Sequence, residues 1–164
     1  TGTVARLGWQ AYQDSSEQWF FNIPPATLKE TARHFRDSLE AGALRYVGPD
    51  ELVCKRVALL PGAIWETWQI GALRQADAVA VGEAAEWSVP EYIRDAGLAG
   101  MPKGLILIGH VASEEAGMAY LVDWLLAAIQ SGDIPSPVPV SQRQEGKPRN
   151  IDSLGSADLF GWST

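Results

Sequence analysis

Two turns in the chain carry side chains that could bind a divalent cation. The first is the segment 109–118, GHVASEEAGM, which follows the apolar run 105–108. It leads into a stretch whose apolar residues recur at the spacing of a helix. His110 and Glu114 stand four residues apart, so a turn that becomes a helix can direct both side chains to one point. The second turn is Gly82-Glu83, after the apolar run 78–81. Imidazole and carboxylate are ligands that suit Zn, Mn, Fe or Co, and the two turns therefore predict a metal site.

A helix-capping explanation of the first turn competes with the metal hypothesis. Ser113 is a favourable N-cap residue, and Glu114 and Glu115 would then lie in the first turn of a helix, where the helix dipole stabilises negative charge. On this interpretation the helix begins at Ser113 and His110 is incidental. The second turn favours the metal hypothesis, because it places Glu83 in the equivalent position just beyond a strand.

The predicted topology brings these two turns to the same edge of a sheet. Parallel neighbouring strands joined by right-handed crossovers present their carboxyl ends together, where open α/β folds bind their ligands. We therefore expect Glu83 and His110 to lie close in space, with Glu83 orienting or deprotonating a water molecule as the catalytic residue. Cys54 and Asp77 precede their strands, which predicts that they lie at the opposite edge, about 15 Å away.

Composition limits the classes of function. The 164 residues are 46% hydrophobic and carry a formal net charge of −7, which argues against binding to nucleic acid or to an anionic membrane surface. No apolar stretch reaches the roughly 20 residues needed to cross a bilayer. Cys54 is the single cysteine, so no internal disulfide framework exists and the cytoplasm is the expected compartment. We expect a single α/β domain over residues 1–140 and a flexible tail over 141–164.

Alternating apolar runs and helical patterns predict an α/β fold with a mixed, largely parallel sheet flanked by helices. One helix is predicted to begin with a capping box, in which the side chains of Thr27 and Glu30 each accept a hydrogen bond from the other residue's backbone N–H. Gly42 is expected as the C-cap of this helix. Gly62 is interpreted as a tight turn, with an anion cradle as the alternative. Trp65 and Trp68 are expected in the core. The predicted strands are 3–7, 43–47, 53–60, 78–81, 105–108 and an edge strand at 138–140; the other predicted helices are 64–75, 88–96 and 113–129.

Several segments resemble, in the same order, the Nif-three-like dinuclear metal-centre proteins, also called the GTP cyclohydrolase 1 type 2 homologue family. The GE turn at 82–83 and the GHxxSEE segment that begins at Gly109 are the most specific part of this resemblance, which extends from about Gly2 to Leu126. The other matching segments are 21–28 (FNIPPATL), 44–48 (LRYVG), 57–63 (VALLPGA) and 91–96 (EYIRDA).

The resemblance implies a toroidal hexamer with two divalent metal ions per subunit, and His110 and Glu114 match the family's carboxyl-terminal metal ligands. Glu83 matches the family's GE turn, whose carboxylate lies at the same cleft. The family's remaining ligands come from an amino-terminal half, and we expect that the present chain lacks that half. The family name implies a purine nucleotide as substrate.

Two functions are consistent with these expectations. The first is a divalent-metal-dependent hydrolase, in which metal ions activate water to attack a nucleotide. The second is a metal-binding homo-oligomeric scaffold or interaction protein without catalytic activity. The two are distinguished by turnover that depends on the predicted metal ligands.

Overall fold

The structure, a computed structural model, describes residues 2–133. These residues form a sheet with helices on both faces. The strands are β1 (Phe20–Thr27), β2 (Arg45–Val47), β3 (Val53–Leu60), β4 (Ala78–Val81) and β5 (Gly104–Leu107). The helices are α1 (Gly2–Arg6), α2 (Leu28–Ser38), α3 (Glu66–Leu73), α4 (Val89–Leu98) and α5 (His110–Ser131), with a short 3-10 turn at Gln10–Tyr12.

The sheet has the strand order β1-β3-β4-β5-β2. Its three central strands, β3, β4 and β5, are parallel, and the crossovers between them contain α3 and α4. The edge strands β1 and β2 each pair antiparallel with one neighbour. This arrangement confirms the predicted α/β fold with a mixed sheet flanked by helices.

Alternating side chains of the central strands build two separate cores, one on each face of the sheet. On one face, Val57 and Leu59 of β3 pack with the buried side of α2, which includes Phe35. On the other face, Ala58 and Leu60 pack with α3 and α4. Because successive residues of a strand point to opposite faces, strands buried on both sides need the continuous apolar runs seen in this sequence.

The capping box predicted at Thr27 is present. The Thr27 hydroxyl accepts a hydrogen bond from the Glu30 N–H at 3.2 Å, and the Glu30 carboxylate accepts from the Thr27 N–H at 2.8 Å. The helix ends earlier than predicted, at Ser38, so the expected cap at Gly42 is wrong. Glu40 adopts the left-handed conformation after the helix, with φ of 53°, and turns the chain before Gly42 is reached.

Two predictions for the first part of the chain are wrong. Residues 3–7, predicted as a strand, lie largely in α1, where the Leu7 N–H donates to the Thr3 carbonyl at 3.0 Å. A run this short has no periodicity that separates a strand from a buried helix. The second error is β1, which was not predicted because it runs through Pro24 and Pro25. An edge strand tolerates proline, and the register shifts between Asn22 and Ala26 accommodate it.

Helix α3 presents a different face to the core from the one predicted. Its buried residues are Gln69, Ala72 and Leu73, whereas Trp65 and Trp68 are 77% and 66% exposed. The Gln69 amide donates to the carbonyls of Ile64 and Glu83 and holds its side of the helix inward. The two indoles therefore lie on the solvent side.

Two compact units divide the chain between Leu125 and Leu126, within α5. The first unit contains the sheet and α1 to α4. In the second, the described residues are the end of α5 and the residues after it, where the Ser131 hydroxyl donates to the Ala128 carbonyl. The predicted edge strand at 138–140 and tail at 141–164 lie outside the described residues. Over residues 2–133, no helix combines the length and the apolar character needed to span a bilayer.

Candidate functional site

Glu83 and His110 are brought together by the ends of β4 and β5. The two strands are parallel and in register, with Val81 opposite Leu107. The pairing continues beyond the strands, because the Ile108 N–H donates to the Val81 carbonyl at 2.9 Å and the Gly109 N–H donates to the Gly82 carbonyl at 3.1 Å. The next residue of each chain segment is Glu83 in one and His110 in the other. Both side chains thus start from the carboxyl edge of the sheet.

The His110 imidazole lies between two carboxylates. Its Nδ1 is 2.9 Å from Oε1 of Glu83, and its Nε2 is 3.1 Å from Oε2 of Glu114. The three side chains are 44%, 57% and 46% exposed for His110, Glu83 and Glu114, respectively, so they form a cluster that is open to solvent. The three residues that the sequence singled out therefore converge.

The two carboxylates act on different nitrogens of the ring. When Nδ1 carries a proton and donates it to Glu83, the ring orientation is fixed and Nε2 becomes the nitrogen that can bind a cation. Glu114 is the carboxylate beside Nε2. Hence His110 and Glu114 can share one cation, while Glu83 supports the ring from its other side.

The spacing of these donors fits part of a metal centre. Two ligand atoms at about 2.1 Å from one ion are separated by roughly 3.0 to 3.4 Å in octahedral or tetrahedral geometry, and Nε2 of His110 lies 3.1 Å from Oε2 of Glu114. Within residues 2–133, however, no group of three or more His, Cys, Asp or Glu side chains is arranged to hold one ion. The physical reason is that the imidazole separates Glu83 from Glu114.

Ser113 is not the N-cap of α5, because the helix begins at His110. Gly109, with φ of 95°, turns the chain out of β5 and starts the helix one turn earlier than predicted. Ser113 is fully buried instead, where its hydroxyl donates to the His110 carbonyl at 2.7 Å and accepts from the Gly62 N–H at 3.0 Å. This contact ties the end of β3 to the start of α5.

Gly62 makes room for the Glu114 carboxylate. Its φ is 72°, and a Cβ atom at this position would lie only 2.3 Å from Oε1 of Glu114 and 3.7 Å from Nε2 of His110. The Gly62 carbonyl accepts from the Glu83 N–H at 3.1 Å, and its own N–H is bound to Ser113. The backbone N–H of Gly62 is therefore engaged within the fold, which supports the tight turn over the anion cradle. The sequence predicts a turn at Gly62, but no local pattern indicates its contact with Glu114, because the two residues are far apart in the chain.

Asp77 and Cys54 lie away from this cluster, as expected. Asp77 precedes β4, and its carboxylate accepts from the N–H groups of Lys55 and Arg56 at 2.7 and 2.9 Å. Cys54 lies within β3 as its second residue, so the expectation that it precedes the strand is wrong. It is fully buried; desolvation, reinforced by the negative charge of Asp77, raises the pKa of its thiol to about 11. Asp77 and Cys54 therefore take part in the internal contacts of the fold and not in the cluster around His110.

Two of the cavities formed by residues 2–133 lie beside α3, near the carboxyl edge of the sheet. The larger, of about 900 Å³, lies between α3 and the segment 10–20, and it includes Trp19 and Trp68 but none of the three clustered residues. The smaller, of about 440 Å³, includes Glu83 itself in its wall, together with Trp65, Glu66 and Gln69. The smaller cavity is thus the one adjacent to the cluster.

A protein-family model described as Duf34/NIF3 (NGG1p interacting factor 3) matches residues 8–145. The chain belongs to this family. The match confirms the resemblance inferred from the GE and GHxxSEE segments. No significant match is found among the curated proteins.

Solved structures share the fold of this Duf34/NIF3 chain. Staphylococcus aureus protein SA1388 is 21% identical, with a TM-score of 0.58 over 76% of this chain and 40% of its own. A Bacillus cereus protein related to NIF3 is 17% identical, with a TM-score of 0.58 over 74% of this chain and 33% of its own. The protein ybgI, described as of unknown function, is 24% identical, with a TM-score of 0.57 over 77% and 49%. The chain therefore covers less than half the length of these structures.

Proposed function

We propose that this Duf34/NIF3 chain contributes His110 and Glu114 to the divalent-metal centre of a hydrolase, with Glu83 as the residue that positions His110. The observation that carries the proposal is the line of contacts from Glu83 through both nitrogens of His110 to Glu114. A metal-ligating histidine characteristically donates its other ring N–H to a carboxylate, which fixes the ring and raises the basicity of the ligating nitrogen. The arrangement around His110 has this form.

A bound divalent ion would lower the pKa of a coordinated water molecule and polarise the bond under attack. The residues of this chain would supply the setting for that chemistry. Glu114 contributes negative charge to the ion, and Glu83 holds the imidazole in the orientation that directs Nε2 towards Glu114. Because Oε1 of Glu83 lies 2.9 Å from Nδ1 of His110, we assign Glu83 to positioning the ring rather than to orienting or deprotonating water, the role expected from the sequence.

A complete centre needs more ligands than these two residues provide. Structural zinc sites use four protein ligands and catalytic sites use three, with an open position for water. In this proposal the other ligands come from outside residues 2–133, either from the same protein or from another copy of the chain. A nucleotide remains the proposed substrate, and Zn, Mn, Fe and Co remain the candidate metals. The single buried Cys54 is consistent with the proposed cytoplasmic location.

An assembly function is the second candidate, favoured by α5. Over residues 118–125 this helix exposes apolar side chains around its circumference, among them Met118, Leu121 and Trp124. Contiguous exposed apolar surface of this kind is typical of protein–protein interfaces. In this alternative a homo-oligomer, such as the hexamer implied by the family, serves as a scaffold whether or not the centre is catalytic.

The two candidates are separated by measuring metal binding, turnover and assembly on the same variants. The full chain is loaded with Mn²⁺, Co²⁺ or Zn²⁺, and metal content, hydrolysis of nucleotides and phosphoesters, and molecular mass are determined. We expect His110→Ala and Glu114→Gln each to weaken metal binding by at least about tenfold. Glu115→Gln is the matched control, because it removes the adjacent exposed charge outside the contact line.

Loss of turnover in Glu114→Gln, with the assembly intact, would support the hydrolase. An intact, metal-binding assembly without turnover would support the scaffold. Metal binding in His110→Ala and Glu114→Gln equal to that of the Glu115→Gln control would refute the proposed centre.

A further inference from the structure

A cavity of about 440 Å³ adjoins the proposed metal centre and is lined, apart from Glu83, by residues that the centre does not use. It lies between the turn after β4 and the start of α3. Its volume is within the range of small-ligand pockets, roughly 300 to 1,000 Å³. Glu83 belongs both to this cavity and to the contact line with His110. A ligand in the cavity would thus lie directly beside the proposed centre.

The polar groups of the cavity wall call for a ligand that donates hydrogen bonds. Glu66 and Glu83 contribute carboxylates, and no lysine, arginine or histidine is among the described residues of the wall. Gln69 lies in the same wall and is held in place by its amide nitrogen, which donates to the carbonyls of Ile64 and Glu83. Carboxylates that face no cation in the wall favour a ligand that carries positive charge and N–H donors.

Trp65 contributes an aromatic side chain to the cavity wall. Trp65 lies at the start of α3 and is 77% exposed, although an apolar side chain of this size is usually buried. An exposed indole attracts a cation or a flat ring placed over its face, and carboxylates nearby strengthen that preference for positive charge. The combination selects against a phosphate or a carboxylate.

We propose that this cavity binds a flat, positively charged N–H-donating group of the amidine or guanidine type. Its role as the recognition pocket for one end of a substrate rests on the proposed metal centre, since that centre would act on the other end. Stacking on Trp65 and charge pairing with Glu66 and Glu83 are the interactions that recognise the group. The anionic parts of a substrate would face the metal rather than the cavity.

The probe for this proposal is benzamidine, with benzoate as a control of the same shape and opposite charge. Binding is measured by ligand-observed NMR and by tryptophan fluorescence in the full chain without added metal. We expect the double variant Trp65→Ala/Glu66→Gln to weaken benzamidine binding about tenfold, the combined effect of a cation–π contact and an ion pair. The control double variant, Trp87→Ala/Glu115→Gln, removes an indole that is 82% exposed and a carboxylate, both outside the cavity.

Glu66→Gln alone provides a milder variant that keeps the indole, and circular dichroism verifies that each variant is folded. Absence of benzamidine binding, equal binding of benzoate, or equal weakening by the two double variants would overturn the proposal. Glu114→Gln separates this proposal from the metal centre, because Glu114 lies outside the cavity wall: the variant should weaken metal binding by at least about tenfold and leave benzamidine binding unchanged. If the chain binds benzamidine but no metal, the proposed pocket is supported and the proposed metal centre is refuted. If it binds metal but not benzamidine, only the proposed pocket is refuted.

Discussion

Replacement of Gly62 by alanine tests whether the position of Glu114 matters for metal binding. The new Cβ would lie 2.3 Å from Oε1 of Glu114, where ordinary contacts begin at 3.4 Å. The carboxylate must therefore move by about 1 Å or more, since this contact lies far inside van der Waals range. The Glu114 side chain is flexible and about half exposed, so it can swing away at little cost in stability. The movement would separate its oxygen from Nε2 of His110.

Gly100→Ala is the matched control for the backbone. Gly100 has φ of 76°, close to the 72° of Gly62, and a Cβ there meets no atom within 4 Å. Alanine in the left-handed region costs roughly 1 to 2 kcal/mol, so both variants should lose this much free energy of unfolding. For a chain of this size the corresponding decrease in melting temperature is about 3 to 6 °C.

Only Gly62→Ala should also weaken metal binding, by about tenfold or more, because misplacing the groups around a metal ligand typically costs 10- to 100-fold in affinity. Isothermal titration with Mn²⁺, Co²⁺ and Zn²⁺ measures the affinity, and thermal unfolding of the metal-free proteins measures the stability. Equal metal affinities in Gly62→Ala and Gly100→Ala would refute the reasoning that Gly62 clears space for a metal ligand.

Two further predictions concern buried groups. Ser113→Ala should lower the free energy of unfolding by about 1 to 3 kcal/mol, because it leaves the Gly62 N–H unsatisfied, whereas Ser88→Ala, whose side chain makes no cap bond, should change it little in urea titrations. The thiol of Cys54 has a pKa of about 11 in the fold against an ordinary value of 9.0, so its stabilising effect is complete below pH 9 and is lost as the pH rises to 11. Cys54→Ala should lack this part of the alkaline destabilisation; identical pH profiles would contradict the assignment.

Much of the central sheet could be predicted because its strands are short, fully apolar runs. Residues 53–60 and 78–81 match β3 and β4, and the strand predicted at 105–108 differs from β5 by one residue at each end. From these strands and the rule for parallel crossovers, the meeting of Glu83 with His110 follows without any long-range information. The capping box at Thr27 could also be predicted from the sequence, because Thr27 and Glu30 are only three positions apart.

The parts that escaped prediction depend on contacts between distant residues. The bond between Ser113 and Gly62 spans 51 positions, and no local pattern shows that the serine serves this contact rather than a helix cap. The prediction of which face of α3 is buried is wrong for a related reason. The hydrophobicity of Trp65 and Trp68 predicts burial, but the hydrogen bonds of Gln69 to two carbonyls decide which side of the helix faces inward. Hydrophobicity alone does not contain that information.

The course of β1 has a consequence for how this molecule meets its neighbours. An exposed strand margin can recruit another chain and seed fibrils, and natural proteins protect such margins with proline, irregular register or short length. Here the isolated bridge between Gln13 and Phe21 occupies one stretch of the margin, and Pro24 and Pro25 lack the N–H groups that an incoming strand would need. The opposite margin, β2, offers only three residues. Both margins of the sheet formed by residues 2–133 therefore disfavour the addition of a strand from another chain, so we expect association to use helices and turns.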